Sequence, residues 1–225
     1  MAVPGAGASV TLASGSSWNV PTGVGGPLEV TVECVGGGAA GGAGISASGG
    51  GQGGGGGAYS RTTAIAVTRC LRGRYPELDL RIKWPNDFWI KRAKLGGILC
   101  EAVAQRENPF IVIGLGLNCA HTPEGLDQAT TSLTEAALAP IQADEVRGPI
   151  IEELLKTLAE LSAEGPAGLA RDYDRWAVFE RGSKVEWGAN QQGVVQGLGE
   201  VGELLVVTDA GTVKLFAEDV RVRPL

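Results

Sequence analysis

Apolar and polar positions alternate most regularly in "LDLRIKW", where Leu78, Leu80, Ile82 and Trp84 point one way and Asp79, Arg81 and Lys83 the other. A period of two predicts a half-buried strand. Pro85 keeps the residue before it extended and removes a ladder donor, so the strand ends there. Asn86-Asp87 is turn chemistry. "FWI" begins a second strand, "KRAK" turns the chain, and "LGGILCEAVA" reads as a third, nearly continuous apolar strand. "PFIVIGLGLNCA" is a fourth and the most apolar, which places it centrally in a sheet. Hairpin-like links between these runs imply antiparallel pairing.

Further on the period lengthens. Thr131 or Ser132 can cap a first helix, and Ile150, Ile151, Leu154, Leu155, Leu158 and Leu161 form the stripe of a second that stops at Gly165-Pro166. "AGLARDYDRWAVF" predicts a short third helix with Leu169, Tyr173 and Trp176 on one side. From Gly182 the chain turns into five short strands punctuated by turn residues, the pattern of a small β-barrel. Toward the N-terminus, Val10 to Leu12 and Leu28 to Val35 read as short strands between Pro and Gly turns. "TAIAVTRCLRGRYPEL" is ambiguous: Ile65, Cys70 and Leu71 can share a helical face over 63–74, yet "TAIAV" also reads as a strand.

Composition divides the chain. Residues 1–60 hold 20 of the 36 glycines, two charges (Glu29 and Glu33) and no Lys or Arg, whereas the remainder has the mixed charge and periodic apolar runs of a globular enzyme. The glycine tract has too few side chains to offset its ordering entropy and reads as a low-complexity segment. A net charge of −6 and a pI of about 4.9 argue against a non-specific polyanion binder. No run of about 18 apolar residues marks a membrane span, and "MAVPGAGASV" lacks the features of a secretory signal. Cys34, Cys70, Cys100 and Cys119 are widely spaced without a C-x-x-C pair, which predicts reduced thiols and a cytoplasmic protein.

The candidate chemistry collects at the predicted strand ends. Asn86-Asp87, Lys94 and Gly114-x-Gly116-x-Asn118 come to one side of the sheet if their strands are neighbours. Each has a plain structural explanation taken singly: a turn, a solvated loop lysine, a bulge. Glycine at 96, 97, 114 and 116 nevertheless weakens apolar strands, so something should approach the backbone closely there. His121 reads as an exposed loop residue without a role.

Taken together, "KWPNDFWIKRAKLGGILCE" followed by "IGLGLN" resembles the catalytic domain of biotin protein ligases, the biotin–[acetyl-CoA-carboxylase] ligases. The seven-residue step from Asp87 to Lys94 matches that family's pattern, and the resemblance runs from about 64 to 225. Residues of about 8–68 resemble the glycine-rich domains of phage tail tips, with "TTAIAV" as a closing strand. The implied fold is α+β: a mixed, largely antiparallel sheet with packed helices, a small SH3-like C-terminal barrel and a glycine-rich N-terminal segment. The implied division is 1–62 glycine-rich, 63–181 a partial ligase catalytic domain, and 182–225 the barrel.

The implied reaction has two steps: biotin and ATP give biotinyl-5′-AMP, and a lysine of the biotin carboxyl carrier domain of acetyl-CoA carboxylase then takes the biotinyl group. By resemblance, Lys94 is the catalytic cation between biotin carboxylate and α-phosphate, and Asp87 holds Mg²⁺. Asn86, Asn118 and Lys83 would face the nucleotide, while Gly97, Leu99, Gly114 and Gly116 would line the biotin slot with Lys94. The family's Arg-rich loop over biotin and adenylate has no counterpart in residues 1–60, which implies an impaired ligase. The alternative is a non-catalytic fusion, a glycine-rich head on a ligase remnant; a lipoate ligase ranks below biotin. No DNA or membrane partner is expected, and a homodimer is left open. In either class the small barrel could receive the carrier domain.

Overall fold

The computed structural model describes residues 9–12, 17–19, 29–32, 55–103, 110–199, 202–216 and 222–225. In chain order these are β1 (Ser9–Leu12), β2 (Ser17–Asn19), β3 (Glu29–Val32), α1 (Gly55–Arg74), β4 (Leu80–Lys83), β5 (Asp87–Ile90), β6 (Ala93–Val103) and β7 (Phe110–Leu117). There follow α2 (Leu133–Ala137), α3 (Ala143–Glu164), α4 (Pro166–Trp176), β8 (Lys184–Trp187), β9 (Gln191–Leu198), β10 (Leu204–Thr208), β11 (Gly211–Leu215) and β12 (Arg223–Pro224). The fold is the expected α+β, with two sheets.

The larger sheet runs β2-β1-β3-β7-β6-β5-β4, which puts the most apolar strand at its centre as the sequence predicts. β4 to β7 are joined as antiparallel neighbours. On the other side of β7 the sheet continues in parallel: Glu29 and Val30 of β3 pair with Val112 and Ile113, and β3 in turn pairs with β1. The sheet is therefore mixed, and the strands of the glycine-rich segment extend it past β7.

The ambiguous "TAIAV" is helical. Ala64, Ile65, Ala66, Val67 and Leu71 are all buried in α1, where the small alanines let the helix lie close to the sheet and to α3. Burial overrides the strand preference of Ile65 and Val67. Thr62–Val67 thus do not supply the closing strand of the phage-tail resemblance, and the division expected at 62/63 falls inside α1. Arg69 fastens α1 to its neighbours by donating to Asp172 Oδ2 and Glu160 Oε2, both at 2.8 Å.

Ser132 caps α2 by accepting from the Glu135 N–H at 3.2 Å. α3 begins well before its apolar stripe, because Val146 is buried and Gln142 closes a capping box with Glu145. Leu169, Tyr173 and Trp176 of α4 are buried on one side as predicted.

Two apolar cores result. One lies between the helices and the inner face of β4–β7; the other fills the C-terminal unit with Phe179, Val185, Trp187, Val195, Leu204, Val206, Leu215 and Val222. Trp84, which strand alternation groups with Leu78, Leu80 and Ile82, joins the second core instead. Its indole N–H donates to Gly202 O at 3.0 Å, so it anchors the first sheet to the C-terminal unit. That unit is a five-stranded antiparallel sheet ordered β11-β10-β9-β8-β12, with the predicted five strands in place. Residues 217–221, between β11 and β12, lie outside the described residues, as does Cys34. Cys70 and Cys100 are free thiols, and the Cys119 thiol donates to Leu117 O at 3.7 Å.

Candidate active site

Side chains alternate across β4–β7, and the two faces differ. Phe88, Leu95, Ile98, Ile113, Leu115 and Leu117 are buried toward the helices. Opposite residues of paired strands share a face, and the register sets Lys83 across from Asp87, Asp87 across from Gly97, and Gly97 across from Gly116. Leu99 pairs with Gly114 on that same outer face and is 43% exposed. The outer face is a shallow floor of glycine backbone with charges at one end.

Lys94 reaches this face through an irregularity. An unbroken strand would place position 94, three residues before Gly97, on the inner side. Pairing shifts between Phe88 and Trp89, so that Phe88 opposes Gly96 while Trp89 opposes Lys94. The extra residue, Leu95, turns fully into the core, and Lys94 turns outward. Such a bulge re-aims a side chain. Lys94 Nζ then lies 2.7 Å from Asp87 Oδ1, the two side chains being 29% and 16% exposed.

Glycine at 97 makes room for the pair. A Cβ there would stand 3.1 Å from Asp87 Oδ1 and 3.8 Å from Lys94 Cε. Gly96 serves the fold, since a Cβ would meet Gly116 O at 2.1 Å. Gly116 has open space above it, with the nearest atom to a Cβ at 4.0 Å, and Gly114 has only Leu99 at 3.7 Å.

The two asparagines brace this corner. Asn86 Nδ2 donates to Ile98 O, and Ile98 N–H donates back to Asn86 O at 2.8 Å, fixing the turn before Asp87 against β6. Asn118 Nδ2 donates to Thr131 O at 3.0 Å, and its backbone pairs with Leu95 and Leu133. Lys94 is held by the same segment: its N–H donates to Ala129 O at 2.9 Å and its carbonyl accepts from Thr131 N–H at 3.0 Å. Lys83, Asn86, Asp87, Lys94, Gly97, Leu99, Gly114, Gly116 and Asn118 are therefore brought to one region, the asparagine amide nitrogens being used on backbone carbonyls.

Sequence reading missed the 129–131 brace, whose only signal was the cap-like "TTS", and it missed Trp89. This indole lies on the outer face, with Lys83 Nζ 5.0 Å from its ring centroid. His121 is exposed as expected. Burial pushes the Cys100 thiol up to about 12 and, chiefly by the same cause, the Cys70 thiol to about 11. Both are protonated at neutral pH and supply no thiolate nucleophile.

The donor set suits one kind of metal ion. Among the described residues no group of three or more His, Cys, Asp or Glu could cage a metal. Among the described residues, Asp87 is the carboxylate that faces the floor. Mg²⁺ is commonly held by one or two carboxylates together with substrate phosphates, so the residues fit a magnesium ion carried on a nucleotide.

Residues 56–118 match the family model described as "Biotin/lipoate A/B protein ligase family". The chain is 33% identical over 149 residues to the biotin–[acetyl-CoA-carboxylase] ligase of Mycobacterium tuberculosis, covering 64% of this chain and 54% of that protein. It is 29% identical over 160 residues to the human biotin–protein ligase, covering 67% of this chain and 22% of that protein. The chain thus spans about half or less of the length of these curated relatives. In fold it is similar to the biotin protein ligase of Aquifex aeolicus in its apo form, at 20% identity and a TM-score of 0.65 over 75% of each chain. The complex of that protein with biotin and ATP aligns with a TM-score of 0.63 at 20% identity, covering 75% of this chain and 72% of the other. The resemblance to biotin protein ligases read from the sequence is borne out, in sequence over part of the chain and in fold over three quarters of it.

Proposed function

We propose that the outer face of β4–β7 is an adenylation site for biotin, and that the chain acts as a biotin protein ligase on a biotin carboxyl carrier domain. The observation that carries this reading is the Lys94–Asp87 pair, brought by a bulge onto a floor cleared by glycines. The Aquifex protein aligned above was solved with biotin and ATP, which supports the choice of substrates.

The first step brings a carboxylate against a phosphate. A carboxylate oxygen forms a bond to the α-phosphorus, the bond to the β-phosphate oxygen breaks, and pyrophosphate leaves. Two anions repel, and charge on the phosphoryl oxygens must be balanced in the transition state. The Lys94 ammonium supplies that balance by leaving Asp87 and donating to both anions. Asp87, released, is the carboxylate that would hold Mg²⁺, which supplies charge neutralisation to the phosphates when bound. Gly97, Gly114, Gly116 and Leu99 give an apolar floor for the biotin ring system. Asn86 and Asn118 keep their amide oxygens for the nucleotide side, since their nitrogens hold backbone. In the second step the carrier lysine amine attacks the acyl carbon, AMP leaves, and an amide forms. The C-terminal sheet, read as an SH3-like unit, is the proposed seat of the carrier.

Residues 1–60 supply no Lys or Arg to clamp the adenylate, so the rate is set below that of a ligase with a guanidinium clamp. Biotin-dependent exchange of labelled pyrophosphate into ATP tests the reading. Exchange that needs biotin and disappears in Lys94→Ala supports it. No exchange at high protein concentration favours the alternative, a non-catalytic ligase remnant.

A further inference from the structure

Trp89 has no part in the proposed reaction, yet it stands among the residues that do. It lies on β5 two residues after Asp87, on the outer face, and pairs in register with Lys94. Its indole nitrogen is shielded from solvent and has no hydrogen-bond partner, an unusual state for a tryptophan donor. The face of its ring holds the Lys83 ammonium at 5.0 Å from the centroid. Lys83 sits on β4, directly across from Asp87. One aromatic ring thus links the second lysine of the outer face to the strand that carries the Lys94–Asp87 pair.

The chemistry of that contact matters for an anionic ligand. A lysine ammonium is a compact charge on a flexible four-carbon stem. An aromatic face attracts it within about 6 Å without contributing a formal negative charge, so the ring can fix the ammonium while its positive field still reaches a ligand. β4, which carries Lys83, is the edge strand of the sheet.

We infer that Trp89 is a positioning residue for the nucleotide polyphosphate: its ring holds Lys83 over the outer face so that the phosphates meet Lys83 as well as Lys94. This rests on the adenylation reading of the same site.

Equilibrium titration of the full chain with a non-hydrolysable ATP analogue tests it, comparing wild type, Trp89→Leu, Trp89→Phe, Lys83→Met and the Trp89→Leu/Lys83→Met double variant. The expected result is nucleotide affinity weaker by about three- to tenfold in Trp89→Leu, on the scale of one cation–π contact. Trp89→Phe retains most of the affinity because it keeps a ring. Trp89→Leu costs nothing further once Lys83 is Met, since the two then act as one unit. Biotin affinity is the same in all five proteins, which a general loss of structure would not allow. Unchanged nucleotide affinity in Trp89→Leu overturns the inference. So does a loss equally large with Lys83 absent, or Trp89→Phe as weak as Trp89→Leu. If wild type itself binds no nucleotide, the adenylation reading falls as well; if wild type binds it normally and the cycle shows no coupling, this inference alone falls.

Discussion

The inner and outer faces of β4–β7 are built by the same strands from alternate residues, yet they follow opposite rules. Inward, Phe88, Leu95, Ile98, Ile113 and Leu115 fill the space beneath the helices, and size is what matters. Outward, three of the facing positions are glycine, Leu99 is exposed, and the charges stand together at one end. Glycine in a strand lowers stability and gives no packing in return. Two neighbouring strands, β6 and β7, carry that cost on the outer face at 97, 114 and 116, which leaves this face clear for something that is not part of the chain. Buried packing is concentrated on one side of the sheet and the proposed chemistry on the other, with the bulge at Leu95 moving a lysine from the first side to the second.

Substitutions on either face can break that division. Phe88→Ala leaves a cavity at a fully buried inner position and is expected to cost about 3–5 kcal/mol, seen as a lower denaturant midpoint. Next in size, Lys94→Ala on the outer face is expected to slow adenylate formation by about 10²–10³-fold, the scale of one electrostatic donor. Its unfolding midpoint should move far less than that of Phe88→Ala. A Lys94→Ala protein that unfolds as readily as Phe88→Ala would mean that the outer face is structural too. Trp84→Phe keeps most of the packing but loses the bond to Gly202 O, so chemical denaturation should report about 0.5–1.5 kcal/mol. That sharpens the comparison by measuring how much the C-terminal unit depends on its anchor in the sheet.

The smallest effect is one of pH. Burial raises Cys70 to about 11 and Cys100 to about 12 from an ordinary value of 9.0. Above that ordinary value the unfolded chain gives up these protons while the folded chain keeps them, so the folded state binds more protons and stability falls as pH rises. The contribution is fully present below pH 9 and is lost on the way up through the folded values. Melting temperature should therefore decline between pH 9 and 11, and Cys100→Ala should flatten that decline.

Much of this was legible in the chain itself. The alternation of "LDLRIKW", the glycines within apolar runs and the K-W-P-N-D to G-x-G-x-N spacing place β4 to β7, their antiparallel order and the end of the sheet that holds Asn86, Asp87 and Asn118. The bulge was not legible. Counting by twos from Gly97 puts Lys94 on the wrong face, and only the pairing with β5 reveals that Leu95 is the extra residue. Trp84 misled for a related reason: alternation assigns a side but cannot say that a second core begins where the first strand ends. "TAIAV" carried strand-forming residues into a helix because burial against the sheet and α3 outweighs local preference. The parallel addition of β3 to β7 depends on contacts far apart in sequence, which no local pattern encodes.

The central claim is that biotin lies on the glycine floor of the outer face, and a calorimetric titration of biotin into wild type and Gly116→Val tests it most directly. Position 116 has open space for a side chain, so the variant should fold with an unchanged melting temperature. The account predicts saturable binding to wild type and its loss in Gly116→Val. Equal affinity in the two folded proteins would contradict it.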